Sequence, residues 1–211
     1  MKISIPKNII SELPQVTFPG NIYVIDSMSK MSMAVNALRK ERFVGFDSET
    51  RPAFFKGKTN QVALLQISSL DDCFLFRINK IGIPEKLKQF IEDESVKKIG
   101  LSLNNDFNAM GRFAEITPRG FIDIQDLAKQ YCIADMSLQR IYAILFNKKI
   151  SKSQRLSNWE APTLTPAQQQ YAAIDALACL EIYNYLEAGL FKPELSQYIV
   201  NEENTESDEK Q

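Results

Sequence analysis

Two carboxylates end an apolar stretch at residues 43–50, whose sequence is FVGFDSET. If this stretch is a β-strand, Asp47 and Glu49 point to one face, because side chains alternate along a strand with a period of two. Carboxylates this close repel each other and cost stability unless a cation neutralises them. The pattern therefore indicates a metal platform, although solvated acids at a strand end would give the same pattern.

Acids at two further places could complete such a platform. Tyr171 and Asp175 are four residues apart in a segment with helical periodicity, so they project from one face of a helix. A half-buried tyrosine bonded to an aspartate is the structural alternative. Asp106 begins another predicted helix and is the only acid between Glu94 and Glu115. By itself it would be explained by capping or by compensation of the helix dipole.

Together, these acids meet the requirements of two-metal phosphodiester chemistry. Carboxylates can hold two divalent ions about 4 Å apart, one activating water and the other stabilising the leaving oxygen. The 211 residues include no histidine, which excludes Ser-His-Asp and Cys-His catalysis and histidine-based zinc sites. Ligands that are all oxygen favour Mg²⁺ or Mn²⁺.

Apolar periodicity predicts the elements that position these acids. Strands are expected over residues 22–25, 43–50, 62–68, 73–78, 97–103 and 121–124. Helices are expected over residues 30–39, 83–94, 106–113 and 137–146, from the sixth strand to about residue 132, and from residue 166 to about 186. Three strands that look antiparallel, followed by alternating helix and strand, predict an α/β fold with a mixed sheet flanked by helices.

Helix starts are marked by capping residues. Ser29 and Asp123 are the candidate caps of two of the earlier helices. The last helix has the clearest start, with Thr165 as the cap, Pro166 at the first helical position and Gln168 completing a capping box. Small residues beside its acid allow this helix to approach a sheet closely; they are Ala172, Ala173, Ala176 and Ala178.

Composition predicts one domain with an extension at each end. Residues 1–20 contain three prolines and predict an irregular arm lying on a single domain of residues 21–200. Residues 201–211 carry five acids, one lysine and no apolar residue, which predicts a disordered tail. Without this tail, 24 basic residues face 21 acidic ones, a balance compatible with binding nucleic acid.

The same counts predict a cytoplasmic protein. No apolar run approaches the roughly 20 residues of a membrane span, and the first ten residues lack the apolar stretch of a secretory signal. Cys73, Cys132 and Cys179 are far apart among apolar residues. They are interpreted as free thiols in a reducing compartment.

Several segments resemble the ribonuclease D and Werner-type branch of the DEDD 3′-5′ exonucleases, in the DEDDy subgroup that has a catalytic tyrosine. The matching segments are residues 43–50, 62–68, 97–106 and, most distinctively, 152–159 continuing through YAAIDA at residues 171–176. The resemblance spans about residues 40–187. It implies a ribonuclease H-like fold with a five-stranded mixed sheet.

The resemblance also implies a role for each acid. Asp47 would bridge two Mg²⁺ or Mn²⁺ ions, Glu49 and Asp175 would serve the ion that activates water, and Asp106 would hold the other. Tyr171 would orient that water. The implied activity is release of nucleoside monophosphates from the 3′ end of a single-stranded nucleic acid.

Two departures from the family pattern stand beside this resemblance. Many relatives have Asn four residues before the second-motif acid, where this chain has Ser102. Many ribonuclease D relatives have Arg-Pro-Leu before the last helix, where this chain has APTL at residues 161–164. Arg155 could supply the missing positive charge.

Basic residues near the last motif are candidates for substrate binding. Lys148, Lys149, Lys152 and Arg155 form either a grip on substrate phosphates or a solvated loop. A second group after the first motif mixes aromatic with basic side chains, either for stacking on a terminal base or as part of the core; it consists of Arg51, Phe54, Phe55, Lys56 and Lys58. Trp159 is interpreted as a packing anchor.

A catalytically silent nucleic-acid-binding module on the same fold is the alternative function. Loss of one or more acids would indicate it, and none is missing here. No RNA-binding appendage or helicase segment is recognisable in the sequence, which favours a stand-alone nuclease and DNA over RNA. The oligomeric state is left open.

Overall fold

The computed structural model describes residues 1–51, 61–112 and 114–200. The predicted contacts of Phe54, Phe55, Lys56 and Lys58 lie outside the described residues, as does the predicted acidic tail. No helix in the described ranges is long and apolar enough to cross a membrane.

A mixed sheet of six strands forms the centre of the described chain. The strands are β1 (Asn21–Ile25), β2 (Phe43–Thr50), β3 (Val62–Ser68), β4 (Asp72–Phe76), β5 (Lys97–Gly100) and β6 (Phe121–Asp123). Their order across the sheet is β1-β4-β3-β2-β5-β6. β2, β3 and β4 pair antiparallel, as predicted, whereas β1 pairs parallel with β4, β5 with β2 and β6 with β5.

The family resemblance implied a sheet of five strands, and this count was wrong. β1, which the apolar periodicity predicted over residues 22–25, joins the sheet as a sixth strand along β4. Ile22 and Val24 pack against the buried core, and Ile25 is itself buried. This strand therefore removes apolar surface from water in addition to pairing its backbone. The mixed sheet and the α/β class are confirmed.

Helices cover both faces of this sheet. They are α1 (Lys7–Glu12), α2 (Met28–Leu38), α3 (Ile78–Ile81), α4 (Glu85–Ile91), α5 (Asn104–Met110), α6 (Ile124–Gln130), α7 (Leu138–Phe146) and α8 (Pro166–Glu187). α2, α4 and α5 share a core with Leu65 and Ile67 of β3, whereas α6, α7 and α8 share another with Leu64. The neighbouring residues Leu64 and Leu65 thus face two different cores, and the presence of a core on each face explains why the whole strand is buried.

Several local predictions differ from the structure. β5 ends at Gly100 although the strand was predicted over residues 97–103, and α5 begins at Asn104, so Asp106 lies in its first turn and does not begin it. Ser29 was the wrong cap, since α2 begins at Met28 after Ser27. The predicted irregular arm contains α1. Its apolar side chains, including Ile3, Ile5 and Ile10, are buried in the core beside α8, so the short helix is stabilised by packing.

α8 begins and packs as predicted. Thr165 accepts from the backbone N–H of Gln168, and the Gln168 side chain accepts from the backbone N–H of Thr165, which completes the capping box. A Cβ atom added at Gly45 of β2 would lie 1.9 Å from the carbonyl oxygen of Ala176. The backbones of α8 and β2 are therefore in direct contact, and this contact fixes how far Asp175 lies from the strand.

Candidate active site

Three carboxylates from two elements converge where β2 passes beneath α8. One oxygen from each of Asp47, Glu49 and Asp175 lies within 4.8 Å of the others. Asp47 and Glu49 share a face of β2 by strand alternation, and α8 brings Asp175 down onto that face. The sequence prediction that these three acids cluster is consistent with this geometry.

Asp106 approaches the cluster from the first turn of α5. It is buried, and its Oδ1 accepts a hydrogen bond from Ser48 Oγ. Its charge is the largest electrostatic contribution, after burial, to the raised pKa of Asp47. The structure therefore places Asp106 beside the three-acid group. Ser48 was not singled out from the sequence, and its position between two acids was the only signal.

Asp123 fixes the start of α5. Its Oδ2 accepts from the backbone N–H of Leu103, and its Oδ1 accepts from Gln125 N–H, which confirms it as the cap of α6. Ser102, between β5 and α5, has a φ of 59°. Asn is enriched among the non-glycine residues of this left-handed region, so the backbone gives a physical reason for the Asn of many relatives at this place.

Burial raises the pKa of all four acids, and repulsion from the other acids of the set adds to it at Asp47 and Glu49. Burial is the larger cause at Asp47, whose pKa lies well above its ordinary value, and at Glu49, whose pKa reaches about 9. Burial also raises the pKa of Asp175 to about 7 and that of Asp106 to about 6. Asp47 and Glu49 therefore tend to hold protons that a cation would replace. Four carboxylates without nitrogen or sulfur donors fit Mg²⁺ or Mn²⁺.

Tyr171 stands one helical turn before Asp175 and touches the same cluster. Its hydroxyl hydrogen-bonds to Asp175 and lowers the pKa of that acid, in opposition to burial. Burial, followed by the charges of Asp175 and Glu49, raises the pKa of Tyr171 itself. The side chain is therefore a neutral phenol, able to donate a hydrogen bond to an oxygen beside the carboxylates.

A cavity of about 270 Å³ opens onto these groups. Asp47, Glu49, Tyr171 and Asp175 line it, together with the exposed side chains of Lys152 and Arg155. Arg155 lowers the pKa of Glu49, and Lys152 lowers that of Asp175, so both cations lie near the acids. Apolar lining also comes from Leu101, Leu138 and Ile150, which were not singled out as site residues from the sequence.

The other two predicted basic residues do not line this cavity. Lys148 is exposed, and Lys149 donates from Nζ to the carbonyl oxygen of Ser11. The backbone N–H of Lys149 donates to Pro14 O as well. Lys149 therefore ties the N-terminal arm to the domain, because its donors are used there.

The segment before α8 is held in place by a ring contact to Tyr171 and by polar contacts from two arginines. Trp159 is fully buried, and its ring centroid lies 5.9 Å from that of Tyr171, as expected for a packing anchor. Arg77 donates to Ala161 O, and the exposed Arg51 pairs with Glu160 at 3.0 Å. Arg77 thus contacts residues 161–164, the segment in which many ribonuclease D relatives have an arginine and this chain has none.

Comparison with known proteins identifies relatives of this chain. A family model described as 3′-5′ exonuclease matches residues 22–190. The bifunctional 3′-5′ exonuclease/ATP-dependent helicase WRN of Mus musculus is 33% identical over 196 residues, covering 88% of this chain and 14% of that protein. A 3′-5′ exonuclease of Arabidopsis thaliana is 34% identical over 151 residues, covering 69% of this chain and 52% of that protein. The chain thus spans about half or less of the length of these relatives.

Solved structures share the fold. The Nibbler EXO domain of Aedes aegypti superposes with a TM-score of 0.73 at 23% identity, covering 82% of this chain and 92% of that one. Escherichia coli RNase D gives a TM-score of 0.70 at 23% identity, covering 80% of this chain and 44% of that one. The predicted ribonuclease H-like fold is confirmed.

Proposed function

The chain belongs to the 3′-5′ exonuclease family, and we propose that it removes nucleotides from nucleic-acid 3′ ends by two-metal hydrolysis. The observation that carries this proposal is the convergence of Asp47, Glu49 and Asp175 within 4.8 Å, with Asp106 beside them. The silent-module alternative predicts a missing acid, and all four acids are present.

Each acid has a proposed ligand role. The charges of Asp106, Asp175 and Glu49 all act on Asp47, which supports a central role for Asp47 in holding the cations. Glu49 and Asp175 would hold one cation and Asp106 the other. Two divalent cations held by such a set would supply an activated water and would stabilise the leaving oxygen.

Tyr171 and the cavity cations would orient the substrate and the attacking water. The Tyr171 hydroxyl, adjacent to Asp175, supports a role in aligning the water with the terminal phosphorus. The water oxygen forms a bond to phosphorus, the bond from phosphorus to the 3′ oxygen of the preceding nucleotide breaks, and that oxygen takes up a proton. Lys152 and Arg155 are proposed to pair with the phosphates of the strand.

A labelled-strand assay tests this proposal. A 5′-labelled single strand is incubated with wild-type protein in Mg²⁺, in Mn²⁺ and in chelator, as matched DNA and RNA. We expect shortening from the 3′ end in either metal and none in chelator, with DNA as the expected preference. Faster degradation of RNA would reverse that preference and leave the reaction type standing.

Asp175→Asn provides the matched variant, because it keeps the side-chain shape and removes the charge. We expect a loss of at least about a hundredfold in rate, since a ligand and its charge are removed. Asp126→Asn is the control, because Asp126 is exposed on α6 and pairs with Lys129 away from the cavity. Full activity of Asp175→Asn would contradict the proposed site.

A further inference from the structure

Gln66 is a buried polar residue that the proposed roles leave unexplained. It lies in β3 with no exposed surface, and neither its Oε1 nor its Nε2 has a hydrogen-bond partner among the described residues. An unpaired buried amide is destabilising, because it has lost its water without gaining a protein partner. Such a group calls for a specific explanation.

Several other buried polar side chains in the described ranges have partners, although Arg77 Nε and Trp159 Nε1 are, like the Gln66 amide, buried without one. Lys98 donates to three backbone carbonyl groups. Gln168 donates to a hydroxyl and a carbonyl oxygen, and Asp135 accepts from a hydroxyl and a backbone N–H. Gln66 is set apart within the described ranges because both its donor and its acceptor are buried without a partner, whereas Arg77 and Trp159 each leave one donor unpaired.

The strand register places Gln66 directly opposite Asp47. The two are Cα partners in the antiparallel pair of β2 and β3. Opposite residues in such a pair project to one face with Cβ atoms about 4.5–5.5 Å apart. Gly45 identifies that face as the one in contact with α8, and Leu64, two residues before Gln66, packs in the core that includes α8. The unpaired amide thus lies beneath α8, beside the central carboxylate.

We propose that Gln66 is a positioning residue for Asp47, whose Nε2 donates a hydrogen bond to the Asp47 carboxylate when that carboxylate holds a divalent cation. An ionised carboxylate can accept about four hydrogen bonds or metal contacts. A cation takes some of these places, and an amide N–H at another fixes the orientation of the group. Carboxylates that bind metals are commonly held in this way, and losing the donor typically weakens metal affinity tenfold to a hundredfold.

Replacement of the amide by an apolar side chain of similar length separates this role from packing. Gln66→Met keeps the unbranched shape, and Gln66→Leu is the second variant in case the first folds poorly. Mn²⁺ binding to chelator-stripped protein is measured by calorimetry, and thermal unfolding is measured in chelator. Leu65→Met is the control, because Leu65 is the buried neighbour that faces the opposite core.

The expected result is a tenfold to hundredfold rise in the Mn²⁺ Kd of the Gln66 variants, with no fall in the unfolding temperature in chelator. We expect the unfolding temperature in chelator to stay equal or to rise, because the variants remove the two buried unpaired atoms of the Gln66 amide. An unchanged Kd would overturn the proposal. A weaker Kd accompanied by a lower unfolding temperature, or an equal loss in Leu65→Met, would also overturn it.

The proposal rests on the proposed function only in naming the metal site, and the two fail separately. A wild-type protein that binds Mn²⁺ but shortens no strand would contradict the nuclease function. In that case the binding and unfolding data would still decide the role of Gln66.

Discussion

At the scale of single residues, burial contributes more than neighbouring charge to the raised pKa of every acid in the cluster. The same burial keeps Tyr171 neutral, so its hydroxyl can donate where a tyrosinate could only accept. The hydroxyl hydrogen-bonds to Asp175 and, as a neutral phenol, offers a divalent cation no charge, unlike the carboxylates around it. The Tyr171 hydroxyl should therefore affect the rate of strand shortening and leave the affinity for metal unchanged.

Tyr171→Phe tests that separation. We expect the rate of strand shortening to fall by about a hundredfold or more, since the group that aligns the water is lost. The Mn²⁺ Kd should stay within about twofold. Tyr142→Phe is the control. Tyr142 is a buried tyrosine of α7 that lies away from the cavity, and its hydroxyl donates to Glu181 of α8, the helix that carries Tyr171. Wild-type rates in Tyr171→Phe would remove the tyrosine from the reaction.

At the scale of elements, the site depends on how closely α8 approaches β2. Asp175 belongs to the helix, whereas Asp47 and Glu49 belong to the strand, so the 4.8 Å limit between their oxygens is set by helix–sheet packing. Gly45 permits that approach, because a methyl group there would collide with Ala176 O at 1.9 Å. Packed interiors cannot absorb such a collision without shifting an element.

Gly45→Ala should therefore displace α8 from β2. We expect a loss of stability of about 1–3 kcal/mol and a weaker Mn²⁺ Kd in the protein that still folds, because Asp175 moves away from its partners. Thermal unfolding and calorimetry measure the two effects. Gly111→Ala is the control, since a methyl group there comes no closer than 3.3 Å to its neighbours. Equal stability of Gly45→Ala and wild type would contradict the close-packing argument.

At the scale of the whole molecule, the buried acids make stability depend on pH and on metal. Their folded pKa values lie above the unfolded ones, so the folded state binds more protons and stability falls as pH rises through the range between them. That pH range runs from 3.8 to about 6 for Asp106 and from 3.8 to about 7 for Asp175. For Glu49 it runs from 4.5 to about 9. Lys98 acts in the opposite direction above about pH 8, because burial lowers its pKa to about 8.

Unfolding in chelator should therefore become easier between pH 5 and pH 8. We expect the unfolding temperature to fall by roughly 5 °C or more, since about 1–2 kcal/mol has that effect in a chain of this size. Saturating Mg²⁺ or Mn²⁺ should reduce the fall, because a cation replaces the protons and stabilises the folded state. Asp175→Asn should show a smaller fall in chelator than wild type. Stability that rises from pH 5 to pH 8 in chelator would contradict the electrostatic description of the site.

The sequence by itself determined the exonuclease family and most of the elements. Asp47 and Glu49 on one strand face follow from a period of two, and Tyr171 beside Asp175 follows from helical spacing. The capping box at Thr165 is equally local, and the structure confirms it. These features could be predicted because each depends on residues only a few positions apart.

Only the tertiary structure decided which distant residues meet. The pairing of β1 with β4, the partner of Ala176 at Gly45, the bond from Ser48 to Asp106 and the contact of Lys149 with the N-terminal arm all join segments that are far apart in the sequence. Gln66 looked like any polar residue in an apolar strand until the register set it opposite Asp47. Register and helix–sheet distance arise from packing summed over the whole core, and no short window of sequence contains that sum.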